Sequence, residues 1–334
     1  MKTKLYFILA TLLIGITSFA QVNDMANFGD SNTSNKTSLK KLTNSIYQIS
    51  GDIGNMGVYF GKNETILIDT QTRDEIENDI KIIKRISKNP IKYIVNTGFH
   101  PEHVGGNNFV KKKENVIILS SEKTRLNNNS KTDNKAFSGS VKADITFSKK
   151  MTIYIDGEKI ELIPINNGSS NGDIIVYFTK SNVLFTGDVF YNSKRYPKLD
   201  FSNGGSIDGL ISGLNSILGI CNNSTKIVPG HGGVSNKSEV NSYANMLSII
   251  FKKITYKREV GNTLEAVINS KSSITDKYDA KGYNKGEVKS EDLITEIYNQ
   301  LAEKMGPLDT RTPEEKAMER LKEMQAEKKN KGKN

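Results

Sequence analysis

All three histidines of this 334-residue chain fall in contexts suited to holding a metal ion. His100 and His103 stand in NTGFHPEHVGG (96–106), and His231 stands in VPGHGG (228–233). Each follows a run of β-type residues, so each is expected on a loop at a strand end. Two neutral imidazoles so spaced on one loop can face one ion, and a third from a distant loop can close the site. Asp188, at the end of NVLFTGD (182–188), adds a carboxylate at another strand end. Imidazole nitrogens with carboxylate oxygens suit Zn²⁺, with Fe and Mn as further candidates. An ion held this way lowers the pKa of a bound water and polarises a carbonyl, which is the chemistry of hydrolysis.

The elements that must position these residues are legible along the chain. SIYQIS (45–50), GVYFG (57–61) and TILIDT (65–70) are short β-type runs broken by Gly, Asn and Asp. Ile76, Ile80, Ile83 and Ile86 recur at helical spacing within 73–87, and KYIVNT (92–97) then reads as a buried strand. Gly105 and Gly106 allow a tight passage from the histidine loop into the next element. In the second half, NVIILS (115–120), MTIYID (151–156), KIELIPI (159–165), DIIVYF (173–178) and NVLFTGD read as strands. A helix over 206–221 with Leu210, Leu214, Ile217 and Leu218 on one face separates them from KIVPG (226–230). Helical patterns follow over 239–251, 264–268 and 291–305, and Pro313 opens a charged helix with Thr312 as its cap. Strand clusters alternating with helices in both halves predict an α/β fold, a four-layer αβ/βα sandwich with a helical C-terminal extension.

From about Ser45 to Ile268 the chain resembles the metallo-β-lactamase superfamily. That family's pattern is Asn-Thr followed by His-x-His-x-Asp-His-x-Gly-Gly, and the matching stretch is NTGFHPEHVGG. Its Leu-Ile-Asp-Thr strand is ILIDT (66–70), its Gly-His-Thr-x-Gly-Asp is GSSNGD (168–173), its Leu-Phe-x-Gly-Asp is LFTGD (184–188), and its Pro-Gly-His-Gly is PGHG (229–232). The stretch from Thr275 to Leu301 resembles, more weakly, the ending of a secreted, cyclase-like branch of the superfamily. The resemblance implies two metal pockets bridged by Asp188, with Asp69 bracing a ligand from behind.

The departures fall on one pocket. Gly98 and Ser169 occupy two of the three histidine positions of the first site, leaving His100 and the shared Asp188, too few to hold Zn²⁺. The second site keeps Glu102, His103, His231 and Asp188, with Glu102 one methylene longer than the family's Asp. One ion in the second pocket is therefore expected, with His100 and Asp188 left as the catalytic acid/base candidates. The functional expectation is a mono-metal hydrolase of an ester, thioester or lactam-type bond in a small-molecule substrate. The alternative is a non-catalytic pseudo-hydrolase that binds a ligand or partner through the old active-site groove; a third reading has Gly98, Ser169 and a water packing an empty first pocket.

Residues 1–20, with Lys2 and Lys4 before an apolar run and Ser18 and Ala20 before Gln21, read as a signal peptide for a periplasmic or extracellular protein. Residues 21–40 read as a flexible leader, 41–270 as the core domain, 271–310 as a helical extension and 311–334 as a charged helical tail. The formal charge of +10 is spread along the chain without an aromatic-interleaved basic stripe, so nucleic acid is not an expected partner. No second stretch is long and apolar enough to span a membrane. Lys194, Arg195 and Lys198 lie near the expected groove, where they read either as a preference for an anionic substrate or, equally well, as an ordinary basic loop. Cys221 is the single cysteine, which excludes an internal disulfide and reads as a small buried side chain.

Overall fold

Eight strands form the first sheet, in sequence order across its width: β1 (Met25–Asn27), β2 (Ser38–Lys41), β3 (Ile46–Ser50), β4 (Asn55–Phe60), β5 (Thr65–Ile68), β6 (Ile91–Val95), β7 (Ile117–Ser121) and β8 (Ile145–Phe147). The first five strands pair antiparallel, and β5 to β8 pair in parallel. The computed structural model describes residues 25–27, 37–127, 141–309, 311 and 313–331. The expected signal peptide and the expected cap Thr312 lie outside them.

The parallel pairings require crossovers, and helices supply them. The first is α1 (Ile76–Ile86), which links β5 to β6. Between β6 and β7 run α2 (Pro101–Val104) and α3 (Asn107–Lys113), and α4 (Glu122–Asn127) follows β7. The second sheet has the order β14-β12-β11-β10-β9, built from β9 (Met151–Ile155), β10 (Glu158–Pro164), β11 (Ile174–Phe178), β12 (Val183–Phe185) and β14 (Lys226–Val228). Its pairings are antiparallel except β12 with β14, which the crossover helix α5 (Ile207–Ile220) connects. A two-stranded ladder of β13 (Tyr191–Asn192) and β15 (His231–Gly232) sets Tyr191 beside His231.

Period-two patterning sorts the side chains into layers. Ile66, Ile68 and Val95 of the first sheet meet Ile160, Leu162, Ile174, Val176 and Phe185 of the second in the central layer. Leu67 and Ile94 point the other way, onto Ile76, Ile82 and Ile83 of α1. Ile175, Leu184 and Ile227 point outward from the second sheet, onto α5, α6 (Lys237–Glu259), α7 (Leu264–Asn269) and α9 (Ser290–Met305). The layers are helix, sheet, sheet, helix, as the sequence predicts. A short helix α8 (Asp276–Asp279) precedes α9, and α10 (Pro313–Lys331) follows it.

Three boundaries differ from the sequence reading. The segment 21–40 contains β1 and β2, because a strand at a sheet edge needs backbone pairing (Met25 opposite Lys40) and no apolar pattern. The helix expected over 239–251 runs from Lys237 to Glu259, since Ile254 and Arg258 continue its buried face. The segment 271–310 is no appendage: Leu293, Ile294, Ile297 and Leu301 of α9 belong to the same core as Leu184 and Ile227. Cys221 is free and buried in that core, as expected.

Candidate metal centre

Asp188 is the hub. It follows β12 on a tight turn, where Gly187 has φ +50° and a Cβ there would lie 2.5 Å from Thr97 Oγ1. Gly230 is equally constrained, because a Cβ there would lie 2.5 Å from Asp188 Oδ1. Three imidazoles surround the carboxylate. His103 Nε2 lies 3.2 Å and His100 Nδ1 3.8 Å from Oδ2, and His231 Nε2 lies 3.2 Å from Oδ1. Donor atoms of His100, Glu102, His103 and Asp188 all fall within 4.8 Å of one another, close enough to surround a single ion. His231 stands outside that group of four and flanks the other oxygen of Asp188.

Each ring is held from behind. Asp69 Oδ2 lies 2.9 Å from His103 Nδ1, and the Asp69 carboxylate is itself fixed by the Thr97 backbone N–H (2.7 Å) and hydroxyl (2.6 Å). Asp69 adopts φ +64°, an uncommon backbone state for a residue with a side chain and a local strain of the kind found at functional sites. The His103 carbonyl accepts from the Thr70 N–H and from Asn96 Nδ2, which pins the turn from the other side. His100 Nε2 lies 3.0 Å from Asp200 Oδ2. Asp200 in turn accepts from Ser202 Oγ, the Asn203 N–H and Asn203 Nδ2. The His231 ring stacks on Tyr191, with centroids 4.9 Å apart and planes 15° apart. Its loop is tied down by Asn55, whose Nδ2 donates to the carbonyls of Pro229 and Gly232.

This arrangement fits a cation. His103 Nε2 and Asp188 Oδ1 are buried, and neither makes an aligned hydrogen bond despite a neighbour 3.2 Å away. Buried polar atoms left unmet are costly, and an ion among them removes that cost. A carboxylate behind an imidazole that presents its other nitrogen forward is the usual support of a metal-ligating histidine. The electrostatics agree. Burial alone would depress the His103 pKa, but Asp69 and Asp188 raise it well above the ordinary histidine value. Burial also opposes the charge on His100, yet Asp200, Asp188 and Glu102 raise it. Asp188 is buried, but His103 and His231 hold its carboxyl well below the usual range. The site therefore favours positive charge at its centre.

The two departing positions are filled in different ways. A Cβ on Gly98 would lie 3.1 Å from His103 Cδ2, so the His103 ring has closed onto the space a side chain would need. Ser169 is buried and its hydroxyl donates to the Asp173 carboxylate at 2.9–3.0 Å, rather than facing the donor group. The Ser169 carbonyl accepts from the Asp200 N–H at 2.7 Å, so the segment that lacks a histidine instead anchors the carboxylate behind His100. Asp200 was not singled out in the sequence. Its one local signal was DFSNGG (200–205), a turn in which the Asp caps its own loop; the contact with His100, a hundred residues away, has no local signature. A cavity of about 670 Å³ lies along the start of α5 between Ser206 and Lys304 and holds none of the donors. A smaller one of about 350 Å³ opens at His231.

The family model for the metallo-β-lactamase superfamily matches residues 49–252, more than half of the chain. The chain belongs to the metallo-β-lactamase superfamily. Among solved structures it is similar to a metallo-β-lactamase from Pontibacter korlensis, at 20% identity and TM-score 0.55, over 64% of this chain and 99% of that one. It is also similar to the stereoselective inverting sec-alkylsulfatase Pisa1 from Pseudomonas sp., at 16% identity and TM-score 0.64, over 79% of this chain and 50% of that one. The DIM-1 metallo-β-lactamase matches at 18% identity and TM-score 0.51, over 63% of this chain and 97% of that one. At these identities the likeness is one of fold, and metallo-β-lactamase folds carry many hydrolytic activities. No helix among the described residues is long and apolar enough to cross a membrane.

Proposed function

We propose that this chain is an exported, mono-metal hydrolase of the cyclase-like branch, acting on an ester, thioester or lactam-type bond of a small molecule. The observation that carries this reading is the pair of buried, unmet atoms His103 Nε2 and Asp188 Oδ1 at the centre of three imidazoles. His103, Glu102 and Asp188 hold the ion, with His231 closing the site from the far oxygen of Asp188. His100 is the further donor, which revises its expected role as a free acid/base: its Nε2 is taken by Asp200, and its Nδ1 faces the hub. When bound, the ion, with Zn²⁺ as the first candidate, lowers the pKa of a water and polarises the scissile carbonyl.

The protein's own groups do the rest. Asp69 and Thr97 fix the tautomer and angle of His103, and Asp200 does the same for His100. Tyr191 and Asn55 fix the ring and the loop of His231. The oxygen of Asp188 that the ion leaves free takes the proton of the attacking water and returns it to the leaving group. Gly54 brings the 51–55 loop against Glu102, with its Cβ position 3.5 Å from Glu102 Cβ.

A second reading, a non-catalytic binder, is favoured by Gly98 and by the commitment of Ser169 to Asp173. The two separate by experiment. Metal-stripped protein is reloaded with zinc, iron or manganese in turn and offered ester, thioester and lactam substrates. Alkyl sulfates join them because the fold is similar to that of a sec-alkylsulfatase. Turnover that needs one metal and disappears in His103→Ala supports the hydrolase; stoichiometric metal without turnover of any substrate supports the binder.

A further inference from the structure

The second sheet ends on β9, and no described strand pairs with the outer flank of β9. The turn Asp156-Gly157 joins β9 to β10, with φ +51° and +78°. Which backbone groups are free at this edge follows from the ladder. The N–H of Thr179 donates to the carbonyl of Lys159 on the β11 side, at 2.9 Å. Lys159 stands opposite Tyr154 on the β9 side. Opposed residues in an antiparallel ladder alternate between pairs that exchange hydrogen bonds and pairs that do not. Because Lys159 bonds toward β11, it and Tyr154 form a non-bonded pair. The N–H and C=O of Tyr154 therefore point off the edge of the sheet, and by the period of two so do those of Thr152. Exposed edges are usually blunted by proline, a bulge or an internal charge. The run Met151-Thr152-Ile153-Tyr154-Ile155 has no proline and no charge. Tyr154 is 75% exposed. Met151, Ile153 and Ile155 pack against the central layer but are only partly buried, so that apolar layer reaches the edge half covered. The edge strand of the first sheet, β8, leads into β9 through Ser148–Lys150, and its Ile145 is also exposed.

Charge selects what covers this edge. The chain enters β9 from Lys149 and Lys150 and leaves it through Asp156, and all three residues are exposed. Within the chain, Lys150 lies 3.0 Å from Glu161 and Asp156 accepts the Lys62 N–H, both at the surface. A strand that runs antiparallel to β9 and carries the opposite charge at each matching end is β9 itself. With Ile153 opposite Ile153 of a second copy, Thr152 meets Tyr154 and Lys150 meets Asp156. Thr152 and Tyr154 both have free backbone groups, so each such pair exchanges its hydrogen bonds in full. On the apolar face Met151 meets Ile155, and the central layer continues from one molecule into the next. A slip of one residue would set free flanks against bonded ones and turn every side chain to the wrong face. A slip of two would part Lys150 from Asp156.

We propose that β9 is the interface of a homodimer. The β9 strands of two copies pair antiparallel about Ile153 and join two five-stranded sheets into one. No residue of the metal centre takes part, so the inference stands apart from the hydrolase reading.

The test is sedimentation velocity of the full chain across a hundredfold range of concentration. A reversible monomer–dimer equilibrium is expected. Thr152→Pro removes a free donor and leaves the pairing with β10 intact, since proline is accepted where an edge N–H faces solvent. It is expected to weaken the dimer at least tenfold. Lys150→Glu, which sets a second carboxylate against Asp156 of the other copy, is expected to weaken it severalfold, and more at low salt than at high. Ile153→Cys places two sulfurs across the axis and is expected to form an intermolecular disulfide on mild oxidation, which the parent, with Cys221 buried, does not. A monomer at every concentration overturns the proposal. So does a dimer that folded Thr152→Pro or Lys150→Glu leaves within twofold of the parent, or one that Ile153→Cys does not cross-link, because the contact then lies elsewhere. Thermal melts check folding, and Lys150→Glu with Ile153→Cys decide the matter should Thr152→Pro not fold.

Discussion

Two carboxylates, Asp200 and Asp79, separate the groups that serve the centre from those that cost stability. Asp200 touches His100 and nothing else of the donor set, so its effect on a metal passes through the orientation of that ring. Asp200→Ala should weaken zinc about 10–100-fold without unfolding the chain, and Asp200→Asn should restore part of the loss. A competition assay with a chelating dye reads this directly, and unchanged affinity in Asp200→Ala would remove His100 from the donors. Asp79 is the opposite case. It sits in α1, fully buried, with neither oxygen hydrogen-bonded. Burial and the nearby Glu75 push its pKa up from 3.8 to about 8. The folded chain therefore binds a proton that the unfolded chain has lost, and stability falls as pH rises through the window from about 4 to about 8. Asp79→Asn should remove that slope. Its advantage over the parent should be absent near pH 3.5 and reach the order of a few kcal/mol by pH 9. Denaturant midpoints at several pH values check the trend, and parallel pH profiles would contradict it.

Strands and helices were legible where burial imposes a pattern and illegible where backbone pairing alone holds them. The strand at 65–68 was readable because Ile66 and Ile68 face one layer while Leu67 faces another. The helix over 207–220 was readable from its leucine and isoleucine spacing and from Ser206, whose hydroxyl caps Gly209 N–H. Three-residue β1 and β8 and the two-residue ladder of β13 with β15 carry no period that a sequence can show. The candidate site follows the same division. Its donors were visible because histidine is scarce and each sits after a strand. Asp200, Thr97 and Tyr191 were not singled out, because each reaches its partner across the fold and belongs to an ordinary loop or strand end. The central layer bears most directly on geometry at the hub, since β5, β6 and β12 lead into Asp69, Thr97 and Asp188. Ile66→Ala in that layer should cost about 2–5 kcal/mol in denaturant unfolding. A loss below about 1 kcal/mol would mean that the two sheets pack less tightly than Ile66, 0% exposed, indicates.

At the scale of the whole molecule, the C-terminal third divides into a part that holds the fold and a part that does not. The α9 residues Leu293, Ile294 and Ile297 are completely buried against the second sheet's helices. By contrast, Met318, Leu321 and Met324 of α10 are about half exposed, at 59%, 49% and 53%. Deleting 313–334 should leave the melting temperature within about 2 °C, whereas deleting 290–334 should abolish cooperative unfolding. Equal effects of the two deletions would contradict that division. The metallo-β-lactamase fold thus brings His100, Glu102, His103 and Asp188 together from two loops, with His231 of a third beside the far oxygen of Asp188; in the reading proposed above, Gly98 and Ser169 withhold the donors of a second ion. Zinc stoichiometry tests that claim most directly. Full-length protein, stripped and then equilibrated with excess zinc, is passed through a desalting column and analysed by elemental mass spectrometry, beside His103→Ala. The account predicts one zinc per chain, lost in His103→Ala. Two zinc ions per chain, or one that survives His103→Ala, would contradict it.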